Sequence, residues 1–343
     1  MIPICRMKTF LFTLLAVAVL WQPVFARSRS TLNMSVIEGA KKEKKLVLYT
    51  TADLPQIFNI AFQFVRKYPF MQLELFPATD AALLEKIRKE ARTGIPSWDV
   101  LSGDGSVLMP LLEQNMVAPY RSPQRAAITD GLMDGDGYWS GYYVSPYVLG
   151  YDTRALKRQD IPKTYEELLE PRWRGNQIAM DSQGHSLLSG LMRAWGMDKA
   201  IDYLHRLAEQ EPRMAAGSVT TVQFVRRGDS PLVIAHAPVI QAERRRGTAI
   251  DWRPLGPVIA QINAVALSAR APHPNAARVF IDFILSNEGQ NTFAGFQQIT
   301  IRQDAKARLS PLFAGHKWII ERPDERMNFH KAGTLYQEIL RLR

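Results

Sequence analysis

Residues 46–67 read LVLYTTADLPQIFNIAFQFVRK, a short apolar run followed at once by an amphipathic segment. The four residues at 46–49 have the length and apolar character of a buried strand. Downstream, Ile57, Ala61 and Phe64 recur every three or four residues, the spacing that places side chains on one face of a helix. The stretch therefore predicts a strand that leads into a helix packed against a sheet.

The same alternation continues along the chain. A second strand is predicted around Leu73 and Leu75, a helix with Asp80 as its N-cap ends before Gly94, and a third strand covers residues 98–101. Further strands are predicted at 142–147, 178–180, 232–235 and 262–267. Strands that alternate with helices indicate an α/β fold with an open, largely parallel sheet.

The N-terminus has the pattern of an export signal. Arg6 and Lys8 precede an uncharged stretch at 9–20, and residues 24–26 read VFA, with small residues where a signal peptidase cuts. Residues 1–26 are therefore predicted to be a cleavable signal peptide, which implies a periplasmic location. The one cysteine, Cys5, precedes the apolar stretch, so no lipid anchor is expected and the mature chain would have no thiolate chemistry or disulfide.

The charge of the chain is strongly positive. Its 343 residues include 43 Lys and Arg against 33 Asp and Glu, a net charge of +10. Such an excess favours an anionic partner. An exported protein rarely meets nucleic acid, however, and the basic runs at 41–45 and 244–246 are interpreted as solvated faces, so no nucleic-acid partner is predicted. The length favours two domains.

Several motifs carry a family resemblance. Residues 162–175 read PKTYEELLEPRWRG, and residues 274–290 read PNAARVFIDFILSNEGQ. With Trp98-Asp99-Val100 and the MVAP sequence at 116–119, they make the chain resemble the type II periplasmic binding proteins. The resemblance is to the group that contains ferric-ion-binding proteins and their sugar-phosphate and aminoethylphosphonate relatives, and it covers most of residues 36–340.

The resemblance implies a two-lobed α/β protein with a hinge and an interlobe cleft. The first lobe would comprise residues 27–148 and 259–343, and the second residues 149–258, with crossings near 148–152 and 256–263. The lobes would close on a small solute, and the closed form would be recognised by the membrane permease of an ABC importer. A monomeric binding protein without cofactors or enzymatic activity is expected.

Ferric-ion binding is one alternative function. Ferric members of the family use a His after the first strand, a Glu after the third and adjacent tyrosines near the crossover. The corresponding places here hold Asp53, Gly103 or Asp104, and the neighbourhood of His236. Because Fe(III) needs several anionic oxygen ligands, this set would leave the ion under-ligated, and no metal site is predicted. A solute-sensing module for a membrane kinase is the other alternative.

Candidate ligand-binding residues lie in loops between strands and helices. Hydroxyls and free backbone N–H groups at helix N-termini suit a phosphate, phosphonate or carboxylate, although Ser and Thr there can also be simple helix caps. Two acidic residues among the candidates suit an amine or a cation instead, and a zwitterion would satisfy both signals. The candidates are Thr50, Thr51, Asp53, Ser102, Asp104, Ser106, Ser182, Ser186, Ser218, Thr220, Thr221 and His236.

An enzymatic alternative rests on one short motif. Gly184-His185-Ser186 begins like the nucleophile elbow of hydrolases, but Leu188 occupies the place of the second glycine. The chain also has no dinucleotide-binding glycine motif, phosphate-binding loop or HExxH sequence. The sequence therefore favours binding over catalysis.

Overall fold

The structure is a computed structural model that describes residues 34–52, 54–295, 298–304, 313–323 and 326–340. The predicted signal peptide and the candidate residue Asp53 lie outside the described residues. Within them, no helix is both long and apolar enough to cross a membrane.

Helices and strands alternate over most of the chain. The helices are α1 Met34–Glu43, α2 Leu54–Lys67, α3 Asp80–Thr93, α4 Gly105–Glu113, α5 His185–Trp195, α6 Met197–Ala208, α7 Ser218–Arg227, α8 Ala237–Arg245, α9 Pro274–Leu285, α10 Asn287–Gly295 and α11 Arg326–Ile339. The strands are β1 Lys45–Thr50, β2 Gln72–Pro77, β3 Val100–Gly103, β4 Val117–Ala118, β5 Ser140–Asp152, β6 Ile178–Asp181, β7 Arg213–Ala215, β8 Leu232–His236, β9 Ile250–Arg253, β10 Val258–Ser268, β11 Ile299–Thr300 and β12 Trp318–Glu321.

The strands form two parallel groups joined by a long antiparallel pair. The order is β2-β1-β3-β10-β5-β8-β6-β7. β1 runs parallel to β2 and β3, and β6 runs parallel to β7 and β8. β5 and β10 are antiparallel to each other, β10 is antiparallel to β3 and β5 is antiparallel to β8, whereas β12 pairs with β10 in parallel. The predicted α/β fold is thus confirmed, but the centre of the sheet is antiparallel.

Strand β5 belongs to both groups. Residues 140–146 pair with β10, whereas residues 147–152 pair with β8 and β9. All thirteen residues of β5 are buried, so its hydrogen bonds are shielded from water on both sides of this change of partner. The chain therefore passes from one half of the sheet to the other within a single strand.

The hydrophobic core is divided in the same way. One cluster lies around β1, β3 and α2, where the ring of Phe64 packs on Phe280 of α9 with their centroids 5.1 Å apart. Two further clusters lie around β6 and β8. Ala332 and Tyr336 of the C-terminal helix α11 pack in one of these, a placement that the predicted lobe boundaries did not include. Those boundaries stay a prediction.

A buried carboxylate ties the first half together. Asp99, which is fully buried, accepts hydrogen bonds from the backbone N–H of Val47 at 2.8 Å and of His273 at 2.7 Å. The Nδ1 atom of His273 lies 2.9 Å from the same carboxylate. Asp99 therefore joins β1 to the segment that starts α9.

We expect Asp99→Ala to lower the free energy of unfolding by about 3 kcal/mol, because it leaves one buried and one partly buried backbone N–H group without acceptors. Urea unfolding followed by circular dichroism measures this loss. The control is Asp136→Ala, which removes an exposed ion pair with Arg121 at 3.5 Å and should cost less than about 0.5 kcal/mol. Equal effects of the two substitutions would contradict the role assigned to Asp99.

Candidate functional site

A polar cavity of about 310 Å³ lies where the two parallel groups face each other. Strands β1, β3, β6 and β8 all end at this point, and each leads into the N-terminus of a helix. Ligands of α/β proteins bind beyond the carboxyl ends of strands for this reason. The described lining residues are Thr51, Ala52, Asp80, Asp104, Tyr143, Ser145, Tyr147, Asp181, Gln183, His185, Ser186, Ala216, Gly217, Ser218, Val219, Thr220, His236, Pro238, Val239, Gln261, Asn263 and Gln298.

Half of the twelve candidate residues line this cavity. They are Thr51, Asp104, Ser186, Ser218, Thr220 and His236. A seventh, Ser182, lines an adjoining cavity together with Thr51. The structure therefore brings candidates from both halves of the sheet to one place.

Three other candidates are buried, and their hydroxyl groups form hydrogen bonds within the protein. The hydroxyl of Thr50 accepts from the backbone N–H of Ala52 at 3.0 Å, and that of Thr221 donates to the carbonyl of Gly217 at 2.8 Å. Ser102 shares a 2.8 Å hydrogen bond with Tyr142. These side chains shape the loops and do not line the cavity.

Two aspartates meet at one serine on the first side of the cavity. Ser106 is a candidate residue that does not itself line the cavity. Its hydroxyl is hydrogen-bonded to both Asp80 and Asp104. Asp104 also caps α4 by accepting from the backbone N–H of Ser106 at 2.8 Å, and Gln261 donates to its other oxygen. Burial and the charge of Asp104 raise the pKa of Asp80 from 3.8 to about 6, and burial raises the pKa of Asp104.

Asp181 occupies the opposite side of the cavity, at the end of β6. One of its oxygens accepts hydrogen bonds of 2.8 Å from the backbone N–H groups of Gln183 and Gly217, so it joins the loops that follow β6 and β7. Burial raises the pKa of this carboxyl group, although the two hydrogen bonds act to lower it. Burial also lowers the pKa of His185, although the charges of Asp80 and Asp181 oppose that shift.

His236 presents an uncharged imidazole at the end of β8. Its Nδ1 atom lies 3.1 Å from the hydroxyl of Ser218, and its ring packs on Tyr147 at a centroid distance of 4.2 Å. Its Nε2 atom is buried. Burial lowers the pKa of His236 to about 4, although Gln261 opposes this shift, so the ring is neutral at physiological pH and Nε2 can donate or accept.

The charged side chains around the cavity are acidic. Asp80, Asp104 and Asp181 line it, and neither Lys nor Arg is among its described lining residues. The chain's positive charge is therefore not concentrated here. Across the described residues, no three His, Cys, Asp or Glu side chains are grouped to hold a metal ion.

Sequence reasoning missed Asp80 because it predicted this residue to be the N-cap of α3. The cap is Thr79, whose hydroxyl accepts from the backbone N–H of Ala82 at 3.5 Å, and this leaves the carboxylate of Asp80 in the cavity. Asp181 was also missed, although an acidic residue at the end of a predicted strand is a signal that could have found it. Gln261 was missed as well, because it reaches the cavity from the middle of β10, which no loop motif marks.

We expect Asp80→Asn to stabilise the protein by about 2 kcal/mol at pH 8, because the substitution keeps the side-chain shape and removes a buried charge. With a pKa of about 6 when folded, Asp80 gives a stability contribution that is complete below about pH 4 and is lost as the pH rises through about 6. Urea unfolding from about pH 4 to pH 8 should show the two proteins diverging over this range. Parallel curves would contradict the shift.

Comparisons with known proteins show the family. The family model described as "Bacterial extracellular solute-binding protein" matches residues 95–312. Iron uptake protein A1 of Synechocystis is 24% identical over 235 residues, which cover 61% of this chain and 62% of that protein. A Haemophilus influenzae protein that is itself uncharacterized is 23% identical over 271 residues, which cover 75% of this chain and 77% of that one.

Solved structures agree in fold. Iron-bound HitA from Pseudomonas aeruginosa has a TM-score of 0.77 at 20% identity, covering 86% of this chain and 99% of that one. AfuA from Actinobacillus pleuropneumoniae with bound fructose-6-phosphate has a TM-score of 0.71 at 22% identity, covering 87% and 96%. The type II periplasmic binding fold that the sequence resemblance implied is confirmed. The chain belongs to the bacterial extracellular solute-binding proteins.

Proposed function

We propose that this protein captures an organic zwitterion in the periplasm and delivers it to the membrane permease of an ABC importer. The observation that carries this proposal is the combination of one buried and two partly buried aspartates with several helix N-termini around one cavity that has no described Lys or Arg in its lining. Export would depend on the predicted signal peptide at residues 1–26.

The aspartates favour a solute that carries an ammonium group. Asp80 and Asp104 lie on one side of the cavity and Asp181 on the other, and burial raises the pKa of all three. Buried carboxylates are costly without a cation. A solute ammonium group would supply the missing positive charge and would restore the ionised form of its carboxylate partner.

The helix N-termini favour a solute that also carries an acidic group. Helices α5, α7 and α8 begin at the cavity, and residues of the first turn of each line it. Backbone N–H groups in the first turn of a helix and the positive end of the helix dipole favour a carboxylate or phosphonate. Ser186, Ser218 and Thr220 add hydroxyl donors beside these helix starts. One small solute can use both sets only if it carries both charges.

Closure of two lobes would bury the solute. β5 and β10 connect the two groups of strands, and the cavity opens beside the point where β5 changes partner. Bending at these strands would bring Asp80 and Asp104 toward Asp181. A permease would then distinguish the closed, loaded form from the open one. A sensor kinase could use the same movement, and genes for a permease and an ATPase beside this one would favour transport.

Binding without catalysis fits the described side chains. Ser186 sits in the first turn of α5, where its hydroxyl can bind an anion, and the sequence around it departs from the nucleophile elbow at Leu188. Ferric iron is the rival cargo, because HitA and the Synechocystis protein are named for iron. Here both carboxylate oxygens of Asp104 and one of Asp181 are already hydrogen-bonded within the protein, which leaves few anionic oxygens for Fe(III) and favours an organic cation.

We expect zwitterions to raise the unfolding temperature of the purified mature protein more than anions that lack an amine. A thermal-shift panel tests this with 2-aminoethylphosphonate, L-alanine and L-tyrosine against inorganic phosphate, fructose 6-phosphate and ferric citrate, all near pH 7. At least one zwitterion should shift the transition by several degrees. A shift with ferric citrate or fructose 6-phosphate alone would refute the proposal.

Asp181→Asn should weaken binding of the best zwitterion at least tenfold, because an amide cannot pair with an ammonium group as a carboxylate does. The amide oxygen can still accept from the backbone N–H groups of Gln183 and Gly217, so the loops should keep their shape. Isothermal titration calorimetry measures the affinity. Asp229→Asn is the control, since Asp229 pairs with Arg227 at the surface, away from the cavity, and it should leave the affinity unchanged.

A further inference from the structure

A second compartment of about 650 Å³ adjoins the cavity. The two compartments share Thr51, Ala52, Asp80, Gln183 and His185 in their linings, so one solute can reach both. Sites that hold organic ligands of drug size typically enclose about 300–1,000 Å³. The first compartment alone is near the lower end of that range, and the second more than doubles the space.

The second compartment has fewer acidic groups than the first. Its charged or titrating groups are the shared Asp80 and His185 and the phenol of Tyr336, and, as in the first compartment, neither Lys nor Arg is among its described lining residues. Leu54, Pro77, Ala78 and Ala81 form an apolar wall on the side of β1 and β2. Hydroxyl and amide groups on the other sides come from Thr79, Ser182, Gln183 and Gln337.

The C-terminal helix α11 forms one wall of this compartment. Tyr336 is buried, and its hydroxyl donates to the carbonyl of Asp181 at 2.7 Å. A Cβ atom at Gly184 would lie 2.7 Å from that hydroxyl, so the glycine permits the close approach of α11 to the end of β6. The wall is therefore anchored to the same loop that carries Asp181.

Two features of the compartment are unexplained by the folded chain alone. Gly333 lies inside α11 and lines the space, and a Cβ atom there would meet nothing within 4 Å. A glycine inside a helix costs about 1 kcal/mol relative to alanine, and here it leaves room instead of relieving a clash. Leu54 lines the same space with 47% of its surface exposed, an apolar side chain that a bound group would cover.

We propose that the solute has an uncharged, partly apolar body, such as an aromatic ring, that occupies this second compartment while its charged groups occupy the first. The inference rests on the proposed zwitterion and adds the size and polarity of the rest of the molecule. Small residues at 78, 81 and 333 give a flat group room, and the apolar wall removes it from water. Compact zwitterions would fill only the first compartment and would bind more weakly.

L-Alanine and L-tyrosine are matched probes, because they share the ammonium and carboxylate groups and differ by an uncharged ring. Titration calorimetry on the mature protein should show L-tyrosine binding at least tenfold more tightly than L-alanine. Gly333→Trp should weaken L-tyrosine binding at least tenfold and change L-alanine binding less than threefold, because the indole would fill the second compartment only. Gly333→Ala adds only one methyl group and should weaken L-tyrosine binding much less than Gly333→Trp does.

Equal affinities for the two amino acids, including no binding of either, would overturn this inference, and so would L-tyrosine binding that Gly333→Trp leaves unchanged. The proposed function is judged separately. If 2-aminoethylphosphonate or L-alanine binds and depends on Asp181 while L-tyrosine gains nothing, the zwitterion site stands and the second compartment does not hold part of the solute. Thermal unfolding of both Gly333 variants checks that α11 remains folded.

Discussion

The antiparallel pairing of β5 with β10 is the constraint on which the rest of the structure depends. β5 pairs with β10 along its first part and with β8 along its second part. β10 pairs with β3 and β12 as well as with β5. The parallel groups attach on either side, and their carboxyl ends face the point where β5 changes partner. A cavity surrounded by helix N-termini follows from this arrangement, whatever side chains line it.

Those side chains then decide what the cavity can hold. Burying Asp80, Asp104 and Asp181 without a nearby Lys or Arg works against the stability of the empty protein, because desolvation disfavours each ionised carboxylate. Backbone N–H groups at 2.8 Å offset part of the cost at Asp181. A solute cation would offset more of it. Solute binding and closure would thus both be favoured by relief of the desolvation cost of these carboxylates. An Arg side chain already paired with them would remove that driving force.

Much of the fold could be predicted because its signals are local. The spacing of Ile57 and Phe64 and the alternation around Leu73 correspond to α2 and β2 as observed. The cavity was only partly predictable, because loops after strands are visible in sequence but the residues that enter from β10 and α11 depend on long-range pairing. Asp80 shows a finer limit: Thr79 and Asp80 are both good N-caps, and backbone geometry selects the first.

Net charge shows why composition does not describe a site. The chain carries +10 overall, which favours an anionic partner, yet the potential inside the cavity is set by carboxylates within a few ångströms. Exposed charges are screened over about 8 Å in physiological salt, whereas buried ones are not. The basic residues on the surface therefore contribute little to the choice of solute. The solved structures of iron-bound HitA and of AfuA with fructose-6-phosphate share this fold, so the fold by itself does not determine the solute.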